Sequence, residues 1–97
     1  SNQYSPLMYA IQEESIPLIE LLSDHGADIN YITHNGISPL ICAIQRNSYT
    51  IVKLLITKGA QVNITDGLWE FSTLVYAIEE NALQIAKLLI ENGANVN

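Results

Sequence analysis

Three stretches of the chain share one pattern of apolar and polar positions. In each, a pair of leucines is followed by Gly-Ala, a variable residue, Ile or Val, and Asn, at 26–30, 59–63 and 93–97. The glycines lie 33 residues apart from Gly26 to Gly59 and 34 apart from Gly59 to Gly93. Such a period is typical of stacked units that bury their apolar faces against one another. The sequence therefore predicts one domain, 1–97, with repeats at about 1–31, 32–64 and 65–97.

The middle repeat shows how the first helix of each unit is specified. Ser38 is suited to a helix N-cap, and Pro39 to the first helical position, where a missing N–H costs nothing. Leu40, Ala43 and Ile44 follow at the three- and four-residue spacings of a buried stripe. A first helix is therefore predicted to begin at Pro39 and to run for about two turns.

A second helix is predicted over residues 49–56, with Ser48 as its N-cap. It is apolar over more than half of its circumference, so neighbouring repeats must cover it on several sides. The first repeat follows the same plan, with Ser5 and Ser15 as the two caps. In the third repeat the second helix is predicted over 83–90, and the first helix lacks the starting proline.

These motifs together resemble the ankyrin repeat. The resemblance rests on Ser-Pro-Leu at 5–7 and 38–40, an alanine in each first helix, the leucine pairs and the Gly-Ala-x-[Ile/Val]-Asn endings, and it covers nearly the whole chain. It implies an all-α repeat, or α-solenoid, of helix-turn-helix units with short β-hairpin fingers. It also implies a concave face that binds proteins. The asparagines at 30, 63 and 97 are implied to bond to loop backbone, and asparagines at this position also resemble substrates of asparaginyl hydroxylases.

The chain departs from the family pattern in three places. Apolar residues replace the usual histidine after Pro-Leu, which predicts apolar packing instead of a buried hydrogen bond. The inter-helix glycine is replaced by Glu14 in the first repeat and by asparagine in the others, and glutamate is the least suited to a positive φ. We therefore expect a distorted first turn. The finger before the third repeat is one residue longer, and it holds Trp69 and Phe71.

Charge and composition narrow the classes of partner. The formal net charge is −6, with four Lys and Arg residues in 97, so neither nucleic acid nor an anionic membrane is expected to attract this surface. No apolar run reaches the roughly 20 residues that span a bilayer, so no membrane insertion is predicted. The single cysteine, Cys42, cannot form an internal disulfide. An intracellular, cytoplasmic setting is the corresponding expectation.

Candidate chemistry is sparse. His25, His34 and Cys42 form no nucleophile-base grouping, and the carboxylates and histidines lack metal-ligand spacing. The glycines are single, so no phosphate loop is present. We therefore predict no catalytic residues, no metal, no cofactor and no enzymatic activity, and Cys42 is interpreted as a small apolar residue packed between helices.

If the resemblance holds, the binding face consists of the finger tips and the exposed side of each first helix. Trp69, with Phe71 or Leu68, is the expected anchor, although these side chains equally suit filling the gap in the irregular finger. The paired glutamates favour a partner with a basic patch, or are an ordinary solvated face. The partner-binding residues implied are Tyr4, Gln12, Glu13, His34, Asn35, Ile37, Gln45, Arg46, Leu68, Trp69, Phe71, Glu79 and Glu80.

Three functions are compatible with this pattern. The first is a non-enzymatic scaffold that binds a protein or peptide partner. The second is a structural spacer or an intramolecular regulatory segment of a larger multidomain protein. The third is an array that associates end to end, because the last helix, at 83–90, has no following repeat in this sequence to shield it. The same pattern is expected of a fragment of a longer array.

Overall fold

The computed structural model describes residues 3–63 and 73–97. Within these ranges the chain forms six helices and no residue lies in a β-strand. The all-α repeat fold predicted from the sequence is confirmed. The helices are α1 (Pro6–Gln12), α2 (Ile16–Asp24), α3 (Pro39–Gln45), α4 (Tyr49–Thr57), α5 (Thr73–Glu79) and α6 (Leu83–Glu91).

The helices pack in pairs and the pairs stack. α1 packs on α2, α3 on α4, and α5 on α6, so that each repeat contributes one pair. The first helices α1, α3 and α5 lie side by side, and α4 packs on α6 in a second layer. The first helices therefore form one continuous layer across the three repeats.

Four of the helices have a serine N-cap, as the sequence predicts. In α1 the hydroxyl of Ser5 accepts a hydrogen bond from the third helical N–H at 3.3 Å, and Ser15, Ser38 and Ser48 do the same at 3.4, 3.2 and 3.3 Å. Each bond satisfies one of the N–H groups that a helix leaves unpaired at its start. α6 instead follows Ala82, which offers no side-chain cap.

The turn between the two helices of each repeat is left-handed at one residue. Glu14, Asn47 and Asn81 have φ of 54°, 55° and 53°. The expectation that Glu14 distorts the first turn is therefore wrong, because the glutamate adopts the same backbone conformation as the two asparagines. The packing of α1 on α2 imposes that conformation on a residue that does not favour it.

The finger between the first and second repeats is closed by hydrogen bonds at its tip. The Thr33 N–H donates to the Ile37 carbonyl at 2.9 Å, and the Ile37 N–H donates to the Thr33 hydroxyl at 3.0 Å. Gly36 lies inside this turn with φ of 84°, a value that side chains disfavour. The finger is thus a hydrogen-bonded turn without regular strand pairing in the described residues.

The core runs without interruption through the repeats. Met8 and Ile41, which stand where the family usually has a histidine, are fully buried, so apolar packing does replace a buried hydrogen bond there. In α3 every residue from Pro39 to Ile44 is buried. Cys42 is among them, as predicted for a packed residue.

The recurring asparagines bond across repeats. The Asn30 side chain donates to the Gly59 carbonyl at 3.2 Å and accepts from the Gln61 N–H at 2.8 Å. Asn63 makes the same two bonds to the next loop, to the Gly93 carbonyl and from the Asn95 N–H, both at 2.9 Å. The prediction that these asparagines bond to loop backbone is confirmed for Asn30 and Asn63, and the loop is that of the following repeat.

Candidate protein-binding face

The predicted binding residues that the structure describes come from two kinds of position. Tyr4, His34, Asn35 and Ile37 precede a first helix, and the others lie at or just beyond the ends of α1, α3 and α5. We call this set the first-helix face: Tyr4, Gln12, Glu13, His34, Asn35, Ile37, Gln45, Arg46, Glu79 and Glu80. Tyr4 and Ile37 are half-buried, and the other members are exposed.

An aromatic pair lies at the first repeat's end of this face. The rings of Tyr4 and Tyr9 are tilted by 58° with their centroids 5.8 Å apart, within the distance range of favourable aromatic pairs. Tyr9, the residue of α1 that follows Met8, is 53% exposed. The same register position in α3 is the buried Cys42. The pair therefore presents an amphipathic aromatic surface that the middle repeat does not have.

Sequence reasoning missed Tyr9. Tyr4 was predicted to bind a partner, whereas Tyr9 was not among the predicted residues. A signal was present, because that position is Tyr9, Cys42 and Tyr76 in the three repeats, and a bulky aromatic beside a small thiol indicates unequal surroundings. We add Tyr9 to the first-helix face.

Tyr4 also connects the first repeat to the second. Its hydroxyl lies near the Cys42 thiol of the second repeat. Burial raises the pKa of that thiol to about 11, and the neighbouring Tyr4 hydroxyl acts in the opposite direction. The pKa of Tyr4 is raised too, chiefly by its own burial and then by Cys42. Both groups are therefore neutral at physiological pH, and the thiol is a packing group there.

The helix ends of the face carry mostly negative charge. Glu13 caps the C-terminus of α1, and Glu79 and Glu80 lie at the C-terminus of α5. Helix C-termini already carry a partial negative charge, so carboxylates there are electrostatically unfavourable. Arg46, at the end of α3, pairs with Glu14 of the first repeat at 3.0 Å, and both side chains are about half exposed. The remaining three carboxylates lack such an ion pair among the described residues.

The finger residues of the face are held by the segment that precedes α1. The His34 N–H donates to the Gln3 side chain at 3.1 Å, and the Tyr31 hydroxyl donates to the Gln3 carbonyl at 2.9 Å. These bonds fix the backbone at the base of His34 while its side chain stays exposed. The exposed imidazole and the Asn35 amide are thereby presented on a backbone tied to the first repeat.

The finger before the third repeat lies outside the described residues. Leu68, Trp69 and Phe71, the expected anchor, belong to it. Their role in partner binding stays a prediction from the sequence.

Other kinds of site find no support in the described part of the chain. Within residues 3–63 and 73–97, His, Cys, Asp and Glu side chains nowhere gather in groups of three or more that suit a metal ion. None of the helices described has the length and apolar character needed to cross a membrane.

Comparison with protein families agrees with this fold. A family model of ankyrin repeats, in 3 copies, matches residues 7–97. The chain therefore belongs to the ankyrin repeat family. Ankyrin repeats are generally protein–protein interaction modules, and the family is typically non-enzymatic. No curated protein matched the chain in a sequence search.

Proposed function

We propose that this chain binds a protein or peptide partner bearing basic side chains, and that it does so on the first-helix face. The observation that carries the proposal is the pair of Tyr4 and Tyr9, of which Tyr9 is 53% exposed, on the helix that ends at Glu13. The Glu13 carboxylate has no ion pair among the described residues. Exposed tyrosines are favoured at interfaces, because they bury a large area at small cost in side-chain entropy.

The charge of the face favours a cationic partner. Lys or Arg side chains from the partner would offset the unfavourable carboxylates at the C-termini of α1 and α5. An Arg or Lys stem also packs on a tyrosine ring, where the cation is attracted to the ring face. Tyr9 and Glu13, which lie one helical turn apart at the end of α1, therefore favour the same partner chemistry.

The test is selection of peptides from a random displayed library on the purified chain, followed by affinity measurement with variants. Selected peptides should be enriched in Lys and Arg. Tyr9→Ala should weaken binding by about 30-fold, the size of a hot-spot truncation. Tyr49→Ala is the matched control, because Tyr49 is also exposed but lies on α4, outside this face. It should change affinity by less than about twofold.

Two further variants locate the binding surface. Glu79→Gln combined with Glu80→Gln should weaken binding of basic peptides and reduce its dependence on salt. Trp69→Ala should weaken binding only if the finger anchor predicted from the sequence takes part. Peptides that bind Tyr9→Ala as well as the wild type, or that show no basic enrichment, would contradict the proposal and favour a spacer or regulatory role.

A further inference from the structure

One end of the stack is the surface of the first repeat that faces away from the second repeat. Apolar residues on this surface are more exposed than the equivalent residues of the other two repeats. Ile51 and Ile85 are buried, whereas Leu18, at the same register in α2, is 47% exposed. Pro6 is exposed, whereas Pro39 and Thr73 are buried. We call this surface the leading face; it comprises Pro6, Leu18, Leu22 and the loop at 26–28.

The opposite side of the stack shows the complementary pattern. Ile11 and Ile44 are fully buried, whereas Ile78, at the same register in α5, is 64% exposed. Val62 is buried, whereas Val96 is 63% exposed. We call this surface the trailing face; it comprises Ile78, Ala86, Val96 and Asn97.

The asparagine bonds repeat the same asymmetry. Asn30 and Asn63 each make two side-chain hydrogen bonds to the glycine loop of the following repeat, and we call each such pair of bonds an asparagine joint. The first such loop, Gly26 to Asp28, receives no asparagine side chain from the described ranges 3–63 and 73–97, and Asn97 is the third asparagine of the series. The trailing face therefore contains an asparagine, Asn97, and the leading face contains a glycine loop of the kind that Asn30 and Asn63 bind.

Each face also contains a cavity. On the leading face a cavity of about 370 Å³ is lined by Pro6, Leu7, Leu22, Ala27 and Tyr31, among others. On the trailing face a smaller one, of about 170 Å³, is lined by Ile78, Leu83 and Ala86 with three further residues. At the equivalents of the leading cavity in the middle repeat, Pro39, Leu40, Leu55 and Ala60 are all buried. The joint between the first and second repeats is thus a filled version of the leading face.

We propose that the chain associates head to tail, with the trailing face of one copy docked on the leading face of a second copy. Asn97 of one copy then clasps the Gly26–Asp28 loop of the other, as Asn30 and Asn63 clasp their loops within one chain. Val96 enters the leading cavity, and Ile78 is covered by the α1–α2 pair of the second copy. The contact reproduces a joint that the molecule already contains twice.

Polar groups at the edge of this contact are also complementary. Within one chain, Lys58 of the second repeat lies 3.6 Å from Asp24 of the first. In the proposed contact, His25 takes the position of Lys58, and Glu91 takes that of Asp24. A carboxylate then faces an imidazole, whose N–H can donate a hydrogen bond to it. Since two different faces are joined, the contact does not close on itself, and mass should increase with concentration beyond a dimer.

The test is sedimentation velocity on the wild type and two single variants. Leu18→Glu places a carboxylate in the leading face and Ile78→Glu places one in the trailing face; both side chains are exposed in one chain, so the variants should fold. Wild type should grow in weight-average mass above 10.7 kDa as concentration rises. Each variant should stay monomeric, with association about 100-fold weaker or more, because an unpaired carboxylate would be buried.

An equimolar mixture of the two variants decides the geometry. Leu18→Glu keeps its trailing face and Ile78→Glu keeps its leading face, so the mixture should form a 1:1 dimer that does not grow further. Tyr49→Glu, an exposed position on α4, is the control and should associate like the wild type. Circular dichroism should show that all variants keep their helices.

Three results would overturn the proposal. A wild type that stays monomeric at the highest soluble concentration would show that the two faces do not bind a second copy of this chain, and would favour repeats of different sequence as their partners. Single variants that associate as well as the wild type would place the contact elsewhere. A mixture of variants that stays monomeric would show that the two faces do not bind each other.

Discussion

The first and middle repeats share caps, helix lengths and turn conformation, yet their second helices are buried differently. In α4, Ile51, Val52 and Leu55 are buried, whereas in α2, which the structure describes in full, Ile19 alone is. The two helices have the same content of large aliphatic residues, because each contains five Ile, Leu or Val residues among nine. In the described residues, helices of both other repeats pack on the middle repeat, whereas only those of the second pack on the first. Burial of a side chain is therefore decided by the flanking repeats.

The largest expected effect is on stability, and it comes from comparing the buried Ile44 of α3 with the exposed Ile78 at the equivalent position of α5. Ile44→Ala should lower the free energy of unfolding by about 3 kcal/mol, because it leaves a cavity in a fully buried site. Ile78→Ala should lower it by less than about 0.5 kcal/mol, because that side chain is already exposed. Urea unfolding at low protein concentration measures both. Equal losses would show that flanking repeats do not set the contribution of this position.

A second prediction concerns Cys42, whose register partner in the first repeat is the exposed Tyr9. The folded state raises the thiol pKa from 9.0 to about 11, so it holds the proton more tightly than the unfolded chain does. The resulting stabilisation is complete below pH 9.0 and is lost as pH rises towards about 11. The protein with Cys42 should lose about 2 kcal/mol more than Cys42→Ala over this interval.

Chemical denaturation at several pH values measures this difference. Cys42→Ala serves as the reference, and both proteins carry Tyr4→Phe, because Cys42 also raises the pKa of Tyr4. Stability curves that run parallel through the interval would mean that the thiol is not held in its neutral form by burial.

A third prediction compares Asn63, whose side chain bonds to the following repeat, with Asn97 at the equivalent position of the third repeat. Asn63→Ala removes two hydrogen bonds between repeats and should cost about 1–2 kcal/mol. Asn97→Ala removes neither and should leave the stability of the monomer within about 0.5 kcal/mol. Thermal unfolding in dilute solution is sufficient to separate them. An Asn63→Ala protein as stable as the wild type would mean that water replaces the two bonds without loss.

The smallest effect concerns the left-handed turns. Glu14→Asn should raise the free energy of unfolding by about 0.5–1 kcal/mol, because asparagine tolerates positive φ better than glutamate does. It also removes the exposed ion pair with Arg46, which contributes little at this exposure. The reverse change, Asn47→Glu, should be destabilising by a similar amount. A loss of stability in Glu14→Asn would show that the ion pair outweighs the backbone term.

Much of the fold follows from the sequence because its determinants are local. Ser5, Ser15, Ser38 and Ser48 each bond within their own helix start, so their spacing predicts where four helices begin. The exposure of Tyr9 could not be predicted in this way, since it depends on which residues of other repeats reach the same place. The turn at Glu14 shows the same limit, because packing of two helices overrode the residue's own preference.

The candidate site is less predictable than the fold for a related reason. The family resemblance predicts one shared face for His34, Gln45 and Arg46, but it does not predict the pairing of Arg46 with Glu14. Nor does it show that Asn30 bonds to the loop of the next repeat, since the partner groups are backbone atoms 29 to 31 residues away. Contacts between repeats are where prediction from sequence ends.

The asparagine joint has a consequence for how such a gene can change. The side chains of Asn30 and Asn63 hydrogen-bond to a carbonyl and an N–H of the following loop, and the residue that supplies the N–H is Gln61 in one case and Asn95 in the other. The joint is therefore indifferent to the side chain at that position. A duplication or deletion of one whole period would preserve every such joint, so the length of the array can vary by copying without redesign of its contacts.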